Sequence, residues 1–199
     1  MSSAWGFDRG TPIDRYYIEN YLEARQHRIK GVVLEIGEPL YTQKFGGTEV
    51  ERSEILDVIG APNATYTCRL EEADEIPSDR FDCVVFTQTL QLIYDFRAGL
   101  RTLHRVLKPG GTLMMTTPGI TRISQEEYEE GWYWSFTNAS ITRLLGELFA
   151  PEEVKTKVYG NVLAAIGFLH GLAATELEVS ELEHYDHNYP VIVGAQAVK

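Results

Sequence analysis

FDCVVFTQTLQLIYDFRAGLRTLHRVLKPGGTLMMTTP, residues 81–118, is the stretch whose reading decides the fold. It opens with an apolar run at 81–87, the pattern of a strand buried on both faces. A polar turn follows, then an amphipathic helix over 96–107, ended by Pro109 and Gly110. Residues 112–117 make a second buried strand. Strand, helix and strand in that order are one unit of a parallel α/β sheet. The polar turn then lies at the C-terminal end of the first strand, where open α/β sheets bind ligands.

Working outward from this unit, residues 13–27 place Ile13, Tyr16, Tyr17, Tyr21 and Leu22 at helical spacing, with Thr11 as cap and Pro12 in the first turn. Gly31 breaks the chain before VVLEIG at 32–37, a short apolar run suited to a buried strand. Residues 38–52 are polar and contain Pro39, Gly46 and Gly47, so the helix expected after a first strand is weak or absent. Residues 53–59 and 64–70 read as strands, and 71–79 as an acidic loop or short helical turn. Beyond the central unit, 125–134 is acidic and aromatic. A helix capped by Thr137 runs to 149, a strand covers 154–159, a helix 162–178 and a final strand 191–198. The alternation predicts a single α/β domain over residues 1–199, with 1–30 as a leading helical cap and 31–199 as the core.

A net charge of -11 over 199 residues excludes a general nucleic-acid binder and docking on an anionic membrane. Cys68 and Cys83 lie in apolar strand-like runs and read as buried thiols, with no disulfide framework or zinc spacing. MSSAWGFDRG has no basic region followed by an apolar run, so no signal peptide is expected, and no apolar run approaches the ~20 residues of a bilayer span. A cytoplasmic protein acting on a small or neutral substrate is the expectation.

Three segments carry a resemblance to a known family: VVLEIG at 32–37, FDCVVFTQTLQLIYD at 81–95 and LHRVLKPGGTLMMTTPG at 103–119. The chain resembles class I S-adenosylmethionine-dependent methyltransferases of the small-molecule, type 11-like branch. The L-x-x-V-L-K-P-G-G break is the most specific of these motifs. The resemblance implies a Rossmann-like fold with a mostly parallel seven-stranded sheet whose last strand is antiparallel, and helices on both faces. It implies S-adenosyl-L-methionine as cofactor, lying across the C-terminal ends of the first strands. RGTPIDRYYIENYL at the N-terminus is similar to the leading helix of bacterial members from sugar and polysaccharide pathways. The chain also departs from the family pattern. The first motif usually reads acidic-x-G-x-G-x-G, whereas Glu35-Ile36-Gly37 is followed by Glu38-Pro39-Leu40, without the second and third glycines that let backbone approach a cofactor.

On the cofactor side, Glu35 ends the first strand and orders the loop and the cofactor amine, or else it is a surface strand end. Gly37 leaves room for the cofactor. Asp57 stands at the spacing of a ribose-binding carboxylate, or is an ordinary turn aspartate. Arg69 and Leu70 occupy the place where relatives put an acidic residue near the adenine. Thr87 closes the strand that starts at Phe81, and Gln88 follows it in the polar turn that faces the cleft, where it would hydrogen-bond cofactor or substrate. Arg15 would pair with the methionine carboxylate and Tyr16 would pack on the sulfonium; the alternative is a solvated arginine and a core tyrosine. On the substrate side stand Gln91, Trp132 and Trp134, aromatic and amide groups suited to a small-molecule pocket or equally to core packing. Asp14, His104 and Glu129 are the candidates for a general base, His104 also reading as structural. His184, Asp186 and His187 form one short cluster, too little for a metal site.

The expected function is methyl transfer from S-adenosylmethionine to a small acceptor, with an oxygen of a sugar, glycan or related metabolite as the site. The acceptor, a second copy of the chain, or a glycan-pathway enzyme are the expected partners, with no nucleic acid and no membrane insertion. The alternative is a catalytically degenerate relative serving as a binding or scaffold partner. The loop at 38–47 separates them: an open cleft above Gly37 keeps cofactor binding, and a cleft filled by Tyr41 or Phe45 removes it.

Overall fold

The computed structural model describes residues 2, 4–123 and 131–199. The stretch that opened the sequence reading forms β4 (Phe81–Thr87), α3 (Phe96–Val106) and β5 (Leu107–Pro118). Phe81, Cys83, Val84, Val85 and Phe86 are fully buried, as a strand covered on both faces requires. Asp95 caps α3, its carboxylate accepting from the Ala98 amide at 3.0 Å, and the helix turns Leu100, Leu103 and Val106 inward. β5 begins earlier than the Pro-Gly break suggests. The Gly110 amide donates to the Lys199 carbonyl at 2.6 Å and the Lys199 amide to Gly111 at 3.0 Å, so the end of the chain stitches the break into the sheet.

The remaining strands are β1 (Gly31–Ile36), β2 (Val50–Asp57), β3 (Tyr66–Thr67), β6 (Val154–Tyr159) and β7 (Ile192–Val198). They form one seven-stranded sheet in the order β3-β2-β1-β4-β5-β7-β6. β3, β2, β1, β4 and β5 pair in parallel, and β7 runs antiparallel to both β5 and β6. The strand order reverses between β1 and β4, which makes their C-terminal ends the topological switch point.

One face of the sheet is covered by α3 and α4 (Asn138–Gly146), with Leu34, Phe86, Leu103, Met115 and Leu145 in the core between them. The other face is covered by α1 (Ile13–Glu23), α2 (Leu40–Phe45), α5 (Val162–Leu169) and α6 (Val179–Glu183), around Ile18, Tyr21, Tyr41, Val85, Met114 and Phe168. Full burial of side chains such as Ile18 and Leu22 is worth about 1.5–3 kcal/mol each, so α1 is fastened as part of this core. No helix of the described residues is long and apolar enough to cross a membrane.

Several elements differ from their sequence-based bounds. α1 ends at Glu23, and 26–28 form a separate 3-10 turn; Pro12 takes the N-cap position with no side-chain cap bond. The strand expected at 64–70 shrinks to Tyr66–Thr67, because Leu70 turns inward under α3 to join the core. A helix does follow β1: α2 is short but complete. The helix expected over 162–178 breaks at Gly171, whose φ of +71° is left-handed. Thr137 does cap α4, accepting from the Ser140 amide at 3.2 Å.

Candidate functional site

At the C-terminal ends of β4 and β5 the chain leaves a cavity of about 440 Å³. Its floor is built by the turn after β4. The Gln88 amide donates to the Thr116 carbonyl at 2.9 Å, which holds Gln88 in a left-handed conformation with φ +48°. Gln91, 2% exposed, donates from Nε2 to the Gln88 carbonyl at 2.8 Å. The Gln91 carbonyl in turn accepts from the Tyr133 amide at 2.9 Å and the Trp134 amide at 3.3 Å. The turn therefore fixes the segment carrying Trp132, which forms one wall. Asp14 and Arg15 at the start of α1 line the same cavity as Gln88 and Gln91. Trp5 and Phe7 of the N-terminal segment and Phe168 of α5 complete the lining.

Burial pushes the Asp14 carboxyl above the usual carboxylate range, against the opposing pull of Arg15. Arg15 donates to the Tyr41 hydroxyl and lies 5.8 Å from the Phe7 ring centroid and 5.7 Å from that of Tyr41. Among the described residues it forms no ion pair within 4.0 Å. An anchored guanidinium outside any ion pair of the described residues can take an anionic group of a ligand.

Beside the cavity, at the end of β1, Glu35 is 3% exposed. Its Oε1 accepts from the Tyr41 amide at 3.0 Å and its Oε2 from the Thr42 amide at 2.8 Å. The carboxylate thus anchors the start of α2, and burial raises its pKa despite these bonds. Gly37 has φ +82°, and a Cβ there would meet no atom within 4 Å. Tyr41 instead packs into the α1-side core, its ring 6.2 Å from that of Phe45. The space above Gly37 is therefore open although the second and third glycines are missing: Glu38 and Pro39 lead straight into α2. At the end of β2, Asp57 Oδ1 accepts from the Ile59 amide at 2.9 Å and the Ala61 amide at 3.1 Å, which closes the turn beyond it.

The cavity brings together Asp14, Arg15, Gln88, Gln91 and Trp132. Glu35, Gly37, Asp57 and Thr87 stand at neighbouring strand ends outside its lining. Four expectations are corrected. Tyr16 lines a different cleft, with Tyr17, Lys157 and Tyr185. The Trp134 Nε1 donates to the Ile93 carbonyl at 3.0 Å and its ring stacks edge-on against Phe96 at 5.1 Å, so it clamps the turn and does not line the cavity. The Leu70 side chain is 3% exposed and lies in the core, while Arg69 is paired with Glu71 at 3.0 Å. His104 packs edge-on against Phe149 at 4.9 Å in the last turn of α3, at the end of the sheet opposite the cavity, and burial lowers its pKa. Glu129 lies outside the described residues. Sequence reading missed Trp5, Phe7 and Phe168. Their only local signal is two aromatics in an otherwise polar N-terminal segment and one in an all-apolar helix.

A sheet of this order with one reversed strand, and a cavity at the C-terminal ends of β4 and β5, is that of a class I methyltransferase-like α/β protein. The family model described as "Methyltransferase domain" matches residues 4–151, and the chain belongs to that family. It is 30% identical over 139 residues to the mitochondrial ubiquinone biosynthesis O-methyltransferase of Homo sapiens, covering 66% of this chain and 35% of that protein. It is 28% identical over 134 residues to the malonyl-[acyl-carrier protein] O-methyltransferase of Pseudescherichia vulneris, covering 62% of this chain and 51% of that protein. The chain thus spans between a third and about half the length of these relatives. The crystal structure of a SAM-dependent methyltransferase from Archaeoglobus fulgidus superposes with a TM-score of 0.62 at 14% identity, covering 93% of this chain and 94% of that one.

Proposed function

We propose that the chain is an S-adenosylmethionine-dependent methyltransferase that methylates an oxygen of a small acceptor. The observation that carries this is the open space above Gly37, on a sheet whose β4 and β5 ends carry a cavity lined by the burial-raised Asp14 carboxyl. The residues present fit the cofactor. Gly37 leaves backbone-close room, the Arg15 guanidinium suits its amino-acid carboxylate, and Asp57, whose Oδ1 closes the turn after β2, would offer its other carboxylate oxygen to the ribose hydroxyls. When bound, S-adenosylmethionine supplies a methyl group on a sulfonium, reactive enough that the protein's work is placement.

This chain's own residues then supply three things. Trp5, Phe7, Trp132 and Phe168 exclude water and give a flat-faced acceptor a surface to lie on. Gln88 and Gln91 set polar groups at the floor. Asp14 takes the proton of the acceptor hydroxyl, and its raised pKa makes it a better base than an exposed aspartate. The aromatic walls suit the face of a ring. A sugar or glycan hydroxyl is the finer reading suggested by the resemblance of the leading helix, whereas the relatives above are named for quinone and malonyl-carrier chemistry. The unfilled space above Gly37 favours a working cofactor site over the binding-only alternative.

Calorimetric titration with S-adenosylmethionine and S-adenosylhomocysteine tests the reading, with micromolar binding expected. Folded protein that binds neither would overturn it. Asp14→Asn should leave S-adenosylhomocysteine affinity within about twofold and cut methyl transfer to hydroxylated acceptors by roughly 10²–10⁴. In the parent chain the rate should rise with pH as the Asp14 carboxyl ionises, with a midpoint above the usual aspartate value. That rising limb should vanish in Asp14→Asn.

A further inference from the structure

One buried polar atom of a cavity residue is without a partner. Gln91 lines the cavity and is 2% exposed. Its Oε1 makes no hydrogen bond among the described residues, while its Nε2 donates to the Gln88 carbonyl at 2.8 Å. That second bond settles which end of the amide is which. Turning it over would set an amide oxygen against a carbonyl oxygen. The orphan is thus an acceptor that lacks a donor. The Nε2 bond and the burial hold the side chain in place, and the backbone beneath it is fixed by the Tyr133 and Trp134 amides that its carbonyl accepts. Buried acceptors in folded proteins are paired as a rule, and an exception needs an explanation.

The surroundings say what kind of donor fits. The walls are aromatic, from Trp5, Phe7, Trp132 and Phe168. Among the described lining residues Arg15 is the one cation and Asp14 the one anion, and the proposed function assigns Arg15 to the cofactor carboxylate. A carboxylate acceptor would set its lone pairs against Gln91 Oε1 and its charge against Asp14.

We propose that Gln91 reads the acceptor: its Oε1 accepts a hydrogen bond from an O–H of an uncharged, ring-bearing substrate, and the cavity rejects carboxylate acceptors. This rests on the methyltransferase reading and narrows its substrate class. A site built to pair a substrate hydroxyl discriminates strongly against the analogue that lacks it, because its own polar group is then left unpaired.

The test uses the chain saturated with S-adenosylhomocysteine and three matched probes, phenol, anisole and benzoate, titrated by ligand-observed NMR. Phenol should bind at least about tenfold tighter than either of the others. Gln91→Met, of similar volume but without the acceptor, should bring phenol and anisole within about twofold of each other and leave S-adenosylhomocysteine affinity unchanged. Equal binding of phenol and anisole to the parent chain would overturn the inference. So would a phenol preference that survives in Gln91→Met, or no phenol binding to the S-adenosylhomocysteine complex. The parent-chain comparison stands without any variant, so a Gln91→Met protein that failed to fold would not shield the proposal. Failure of the parent chain to bind S-adenosylhomocysteine would instead sink the methyltransferase reading, and this inference with it.

Discussion

At Gly37 the cost of a side chain separates cleanly into two parts. Its φ of +82° is left-handed, yet a Cβ there meets nothing within 4 Å. A substituted residue therefore suffers backbone strain of about 1–2 kcal/mol but no packing clash. Gly37→Val should melt slightly below the parent and remain folded, while S-adenosylhomocysteine binding falls by more than about 100-fold as the branched side chain enters the open space. Calorimetry paired with a thermal melt checks both halves, and a folded variant with parental affinity would take Gly37 out of the site. The turn at Gly37 that ends β1 was legible in the sequence because its motif is local. Tyr16 was misread because adjacent helical residues point about 100° apart: with Asp14 and Arg15 turned to the cavity, Tyr16 turns to the next cleft. The Gln91 orphan oxygen could not be read at all, since it exists only once Nε2 has found the Gln88 carbonyl.

At the scale of elements, α2 shows how the altered glycine motif still makes a strand–turn–helix. Its N-cap position is held by Pro39, which offers no side-chain acceptor. Glu35, at the end of the preceding strand, does that work for the Tyr41 and Thr42 amides. The sequence concealed the helix for that reason: the cap signal sits inside β1, ahead of the usual Ser, Thr, Asp or Asn position. β4 and β6, by contrast, match their sequence-based bounds from first residue to last. The helix from 162 was overrun because apolar residues continue past Gly171, where only the backbone conformation changes. Glu35→Ala should cost about 1–3 kcal/mol by leaving two amides at the helix start unpaired. It should also weaken S-adenosylhomocysteine binding, because the Gly37–Pro39 turn is strung between Glu35 and α2. A urea melt and a calorimetric titration check the two effects. Full stability in Glu35→Ala would mean that α2 is held by the Tyr41 packing alone.

At the scale of the whole molecule, neighbouring strands are tied together by two carboxylates, one buried and one half-buried, that resist protonation. Glu54 on β2 is 3% exposed; it accepts from Arg80 Nε and from the Tyr66 hydroxyl, each at 2.9 Å. Asp82 on β4 accepts from Lys108 Nζ at 2.7 Å and from the Val32 amide on β1 at 2.8 Å. Burial alone would raise both pKa values, but the bonds from Arg80 and Tyr66 in one case, and from Lys108 and Val32 in the other, outweigh it and hold both below the usual range. A depressed folded-state pKa means that the unfolded chain takes the proton first. The stability from these pairs is therefore complete above the ordinary carboxylate value, near pH 4, and is lost as pH falls through the lower folded-state values. Asp14 and Glu35 act in the opposite sense, because burial raises them: their contribution is complete below the ordinary value and is lost as pH rises through the raised one. Glu54→Gln should isolate the first effect. It should destabilise the chain at pH 7 by about 1–3 kcal/mol, through loss of charge-assisted bonds to Arg80. The deficit should shrink at pH 3, below the ordinary glutamate value, where the unfolded parent chain has taken up the proton that the folded carboxylate resists. Urea melts of the two proteins at both pH values provide the measurement, and an equal deficit at pH 7 and pH 3 would show that Glu54 acts through shape and packing with no share in the acid response.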